Sequence, residues 1–152
     1  MPAGGPQTII RNGAKAETAG PEAKILDVPA GGETPMITLK DIMTMVNGEL
    51  LTPESVPEIE CPKVFASDLM SDVLASAEPG SFLLTGLANP HVVSTCSVAD
   101  VAAVVFVQGK RPDASVVGQA RAKGLPLIAT KMPMFEACSR IAVLFGVRGD
   151  GR

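Results

Sequence analysis

Aromatic and imidazole side chains are scarce in this chain. Its 152 residues include no Trp, no Tyr, 5 Phe and 1 His. Three of the phenylalanines, Phe65, Phe82 and Phe106, fall inside expected strands, which leaves few platforms for stacked bases. A lone His91 excludes His-cluster metal sites and paired-histidine chemistry. A Ser/His/Asp triad would have to use it, yet it follows Pro90 at an expected helix start with no nucleophile elbow nearby. Cysteine is also sparse. Cys61, Cys96 and Cys138 lie 35 and 42 residues apart, a spacing that makes no zinc or iron–sulfur motif. An odd number of them argues against a disulfide framework, and Cys138 is expected as a buried small hydrophobe on the last helix. An excess of basic charge is missing: 13 Lys and Arg against 16 Asp and Glu give a net charge of −3. That sign disfavours a general nucleic-acid surface. No apolar run approaches the ~20 residues needed to cross a bilayer. The first residues, Met1-Pro2-Ala3-Gly4-Gly5-Pro6, carry neither the basic start nor the apolar core of a secretory signal. The expectation is a cytoplasmic protein with no nucleic-acid or membrane partner, no metal and no cofactor.

What is present is a rhythm. Three short apolar runs, Phe82–Gly86, Val104–Gly109 and Leu127–Lys131, each break at a glycine or small polar residue and lead into a segment with helical spacing. Buried strands alternating with helices describe an α/β fold with a mostly parallel sheet, in two or three layers. Upstream, Thr38 is placed to cap a helix carrying Leu39, Ile42, Met43 and Val46, closed at Asn47-Gly48 and followed by a strand at Glu49–Thr52. Pro53, Pro57 and Pro62 mark a connector. Val64–Ser67 then reads as a strand, and Ser67 or Asp68 as the cap of a helix with Leu69, Met70, Val73, Leu74 and Ala77 on one face. Asn89-Pro90 starts the next helix and Pro112-Asp113 the one after, closed at Gly124. Pro133 precedes a last helix with Met134, Phe135, Cys138, Ile141, Ala142 and Phe145 on its apolar face.

Residues 1–35 differ. They hold six Gly and five Pro and too few aliphatics to offset the entropy of ordering. They read as a disordered tail, or as one that docks on a partner through Ile25-Leu26-Asp27-Val28, with Met36 opening the structured part. Residues 36–147 form the expected domain, and 148–152 a polar tail whose Arg-Gly-Asp triplet is read as chance.

Four blocks in order, VFASDLMSDVLA (64–75), LTGLANP (84–90), VFVQGKRP (105–112) and PLIATKMPMFEAC (126–138), resemble the small stand-alone members of the DRTGG domain family over about residues 37–146. That resemblance implies an α/β module similar to the N-terminal domain of HPr kinase/phosphatase, regulatory or dimer-forming rather than catalytic. It also implies an accessory subunit, since stand-alone members are often encoded beside iron-only hydrogenase or NADH-linked redox subunits. The family's own signature is altered here. Its Asp-Arg falls near Leu87-Ala88 and its Thr-Gly-Gly on Val107-Gln108-Gly109, where only the last glycine matches.

Chemistry-bearing residues gather at the expected strand ends. In an open parallel sheet ligands bind outside the carboxyl ends of the strands. That edge would collect Ser67 and Asp68, Thr85, Gly86 and Asn89, Gln108, Gly109, Lys110 and Arg111, and Thr130 and Lys131. Such a set suits a phosphate- or carboxylate-bearing metabolite or a nucleotide. The same residue types also serve as caps, turns and solvated charges, which weights each of them toward a local role. Gly109-Lys110 is not a P-loop, because Val104 and Arg111 occupy the positions of its first glycine and its Ser or Thr. The expected function is a non-catalytic, homodimeric regulatory or accessory module that senses an anionic metabolite or docks on a redox enzyme through its N-terminal tail. A structural subunit of a hydrogenase or NADH-linked complex is the alternative. A phosphate-transferring enzyme ranks last, since no metal-carboxylate pair accompanies the lysines.

Overall fold

The computed structural model describes residues 36–146. The expected tails at 1–35 and 148–152, with Ile25–Val28, lie outside the described residues. Ten elements follow one another: α1 (Leu39–Val46), β1 (Glu49–Thr52), β2 (Val64–Ala66), α2 (Met70–Ser76), β3 (Phe82–Thr85), α3 (Pro90–Ala99), β4 (Ala103–Phe106), α4 (Ala114–Ala122), β5 (Leu127–Ala129) and α5 (Met134–Leu144).

The strands form one sheet in the order β1-β5-β4-β3-β2. β2, β3, β4 and β5 are parallel neighbours, with Phe82 opposite Ala103 and Val105 opposite Ile128. β1 closes the other edge antiparallel to β5, Glu49 facing Ala129 and Thr52 facing Leu127 across an irregularity at Leu51. From β2 to β5 the chain steps along the sheet in one direction. Right-handed crossovers therefore set α2, α3 and α4 side by side on one face. Their Met70, Val73, Val92, Val93, Cys96, Val116 and Ala120 cluster with Leu83, Val104, Phe106 and Leu127 of the sheet. The alternate residues, Phe82, Leu84, Val105 and Ile128, are fully buried on the opposite face. There the turn after α1 meets β5: a Cβ on Gly48 would stand 2.6 Å from Ile128 Cγ2. Each fully buried Leu, Ile, Val or Phe contributes about 1.5–3 kcal/mol of transfer free energy.

Local chemistry explains the boundaries. Thr38 and Asp41 form a reciprocal capping box at the start of α1, and Asn47 ends the helix in the left-handed conformation (φ 55°). Asn89 caps α3 ahead of Pro90, and Asp113 caps α4 through the Val116 amide. β4 stops at Phe106 because Gln108 and Gly109 both take positive φ (64° and 74°), turning the chain before the expected strand end.

Several expectations are corrected. Neither Ser67 nor Asp68 caps α2; Leu69 stands at that position without a side-chain bond. Ser67 Oγ accepts from the Leu69 amide, and the Asp68 carboxylate is drawn across to β3 instead. Leu69 and Leu74 consequently lie outward, 58% and 53% exposed, while Met70 and Val73 form the buried stripe. On α5 the buried residues are Ala137 and Ile141, one turn apart. Phe135 projects into solvent at 85% exposure, and Cys138 is half-buried rather than buried.

Candidate functional site

The strand ends carry two different arrangements, both built from residues expected there. At the ends of β2 and β3, Asp68 Oδ1 accepts from the Gly86 amide (2.6 Å) and from Thr85 Oγ1 (3.0 Å). Thr85 Oγ1 in turn accepts from the Leu87 amide (3.1 Å). The end of the Gln108 side chain covers Gly86, its Nε2 2.5 Å from where a Cβ would stand. Asp68, Thr85, Gly86 and Gln108 thus meet one another, Ser67 is tied locally to Leu69, and the bonds from Thr85 and Gly86 to Asp68 hold the β2 and β3 loops together. Asn89 accepts from the His91 amide as the cap of α3.

The second arrangement is a cleft of about 650 Å³ at the C-terminal end of β5. It lies where neighbouring connections part. β4 leads into α4 on the three-helix face, whereas α5 buries its Ala137 and Ile141 outside that cluster. Gly109 and Arg111 line it from the loop after β4, Thr130, Lys131 and Met132 from the loop after β5, Asn47 from the end of α1 and Glu49 from the start of β1. Glu136 closes it from the first turn of α5.

Charge in the cleft is mostly paired. Arg111 reaches across to Glu49 with two contacts, Nη1–Oε1 at 2.9 Å and Nη2–Oε2 at 3.4 Å. The Arg111 hydrogen bond, then its charge, holds the Glu49 carboxyl below the ordinary carboxylate range and raises the guanidinium above its own. Glu136 pairs with Arg140 one helical turn on (3.2 Å). Lys131 lines the cleft with no ion-pair partner among the described residues.

The turn beside it is not a backbone anion cradle. The amides of Gln108, Gly109 and Lys110 donate to the carbonyls of Met132, Thr130 and Val107 at 2.8, 3.0 and 3.1 Å. That turn offers an anion no free backbone donor. Thr130 is committed as well: its buried hydroxyl donates to the Val46 carbonyl (2.6 Å) and accepts from the Met132 amide (3.1 Å). Of the expected set, the structure therefore brings Gly109, Thr130 and Lys131 to the cleft together with Arg111. Lys110 is exposed and does not line it.

Glu49, Asn47 and Glu136 were not singled out from sequence as site residues. Nothing in the sequence shows that β1 returns beside β5, which is what brings Glu49 to Arg111.

No protein-family model matches the chain, and no curated protein matches it in sequence. Among solved structures, the fold is similar to the CBS and DRTGG domains of the regulatory region of Clostridium perfringens pyrophosphatase, complexed with its activator diadenosine tetraphosphate. The TM-score is 0.57 at 15% identity, over 75% of this chain and 51% of that one. The likeness is one of fold. This chain spans about half the length of that structure. Among the described residues no helix is long and apolar enough to cross a membrane. No group of three or more His, Cys, Asp or Glu among them could hold a metal ion.

Proposed function

We propose that this chain is a non-catalytic regulatory or accessory module of the DRTGG type, whose cleft beyond β5 binds an anionic metabolite or nucleotide. The observation that carries the reading is Lys131, a cation without an ion partner among the described residues, on a cleft of ligand size that also holds a guanidinium. Two further points support it. The structural neighbour is, by its description, a regulatory region in complex with a nucleotide activator. In addition, Glu49 is held ionised by Arg111, the opposite direction from the one a general acid requires.

A thermal-shift screen of the full chain against nucleotides, acyl phosphates, NAD(H) and small carboxylates tests the proposal. A ligand at 100 times its Kd adds about 2.7 kcal/mol to stability. The expected hit is lost in Lys131→Ala and kept in Lys110→Ala. A hit indifferent to Lys131, or no hit from either the folded native protein or Glu49→Gln, refutes the site. In the accessory side of the proposal, the homodimer and the redox partner rest on the family resemblance, and docking through residues 1–35 rests on the Ile25-Leu26-Asp27-Val28 segment. Sedimentation of the full chain alone and with a purified redox subunit tests it, and a monomer that sediments unchanged beside the subunit refutes it.

A further inference from the structure

Glu49 and Arg111 belong to elements that flank β5 on opposite sides. Glu49 opens β1, opposite Ala129, and Arg111 lies in the loop that follows β4. Since the sheet order runs β1-β5-β4, their two-contact ion pair spans the C-terminal end of β5, where Thr130 and Lys131 enter the cleft. The pair bridges the mouth of the site.

We propose that this bridge is an exchangeable latch: the Glu49 carboxylate occupies, on the Arg111 guanidinium, the position that a phosphoryl group of the ligand takes on binding. The inference rests on the ligand-binding reading of the cleft and adds the ligand's chemistry and a competing group within the chain. Three observations lead to it. A guanidinium presents a flat fork of donors that bonds to the two oxygens of a carboxylate or of a phosphoryl group equally well. Glu49 shows where that fork points. The pair is also open to water at both ends, with side-chain exposures of 54% for Arg111 and 64% for Glu49, so it is readily broken. Finally, the amides of the 108–110 turn are bonded elsewhere, so that turn adds no backbone donor to the side-chain cations. Arg111 and Lys131 are those that line the cleft. Two cations match the double charge of a phosphoryl group, whereas the single charge of Glu49 matches one; the other carboxylate on the cleft, Glu136, is paired with Arg140.

Titration calorimetry of the full chain with inorganic phosphate and with ADP provides the test, on the native protein and on Glu49→Gln. Removing the competitor is expected to tighten binding about fivefold, the upper range for an exposed ion pair. Glu54→Gln makes the same charge change at a residue that pairs with Arg121 (3.6 Å) and does not line the cleft, and should leave affinity unchanged. Combining Glu49→Gln with Arg111→Ala should abolish the gain. Binding by Glu49→Gln alone, with the native chain silent, supports the latch in its strongest form. ADP binding well above phosphate assigns the phosphoryl group to a nucleotide, and equal binding assigns it to the free anion. Equal gains in Glu49→Gln and Glu54→Gln, or a gain that survives loss of Arg111, overturn the latch and leave the cleft reading in place. The same holds if carboxylates bind through Lys131 while neither phosphoryl probe does. If no probe and no screened ligand binds either protein, both fall.

Discussion

The same chemical change made at the two ends of the β1–β5 pair should have opposite consequences. Thr52 faces the start of β5 and Thr130 follows its end; they are 1% and 6% exposed. Thr130 Oγ1 is fully used: it donates to Val46 O, a carbonyl in the last turn of α1 that has no partner further along the helix, and accepts from the Met132 amide. Thr130→Val keeps the shape and leaves both groups without that partner, a loss of about 2 kcal/mol. Thr52 Oγ1 is buried without any hydrogen-bond partner. Burying a hydroxyl unpaired costs about 1–3 kcal/mol, so Thr52→Val should stabilise by about 1 kcal/mol. Urea unfolding reads both. At a slope of about 1.5 kcal/mol/M, Thr130→Val lowers the midpoint by roughly 1.3 M and Thr52→Val raises it by roughly 0.7 M. A Thr130→Val midpoint that is unchanged or raised would refute the assignment of Thr130 as a structural tie between α1 and β5. It would then have to be counted again as a free ligand donor.

On α5, Ile141→Ala should cost about 2–5 kcal/mol and Phe135→Ala less than about 0.5, because Ile141 is 2% and Phe135 85% exposed; comparable losses in urea would show that the helix presents a different face. Gly48→Ala should destabilise by about 1–3 kcal/mol, since its Cβ would meet the stiff branched Ile128 at 2.6 Å. Gly86→Ala should cost less than about 1 kcal/mol, because there the obstacle is the movable end of Gln108; the reverse order in thermal melts would contradict the packing. Burial pushes the Cys61 and Cys96 thiols up from 9.0 to about 12. With folded values above unfolded ones, the stability these protonated thiols contribute is whole below pH 9 and is lost as pH rises toward 12. A Cys61→Ala, Cys96→Ala double variant should lose that alkaline slope in pH-dependent melts, and an unchanged slope would place its origin elsewhere.

The helices were legible where a cap and a stripe coincide. Thr38, Asn89 and Asp113 mark starts through local hydrogen bonds that reach no further than three residues, and Asn47 and Gly124 mark ends through positive φ. The three central strands were legible because burial on both faces demands uninterrupted apolar runs. Legibility failed where a side chain had a choice. Asp68 could cap its own helix or bond across to Gly86 and Thr85, and only the neighbouring strand decides that competition. Phe135 and Ile141 both read as apolar, but the face that is covered depends on which direction α5 leaves β5.

The candidate site divides along the same line. Sequence alone determined that Gly109, Arg111, Thr130 and Lys131 stand at strand ends, since strand ends are local features of the chain. It also determined which chemistries are excluded, since composition fixes which groups exist at all. Only the tertiary structure decided that β1 turns back antiparallel beside β5, carrying Glu49 to Arg111 across 62 positions of sequence. Only it decided that Lys131 lines the cleft while Lys110, one residue beyond Gly109, does not. Strand order is set by which buried faces can be covered together, and that is a property of the assembled sheet rather than of any one segment.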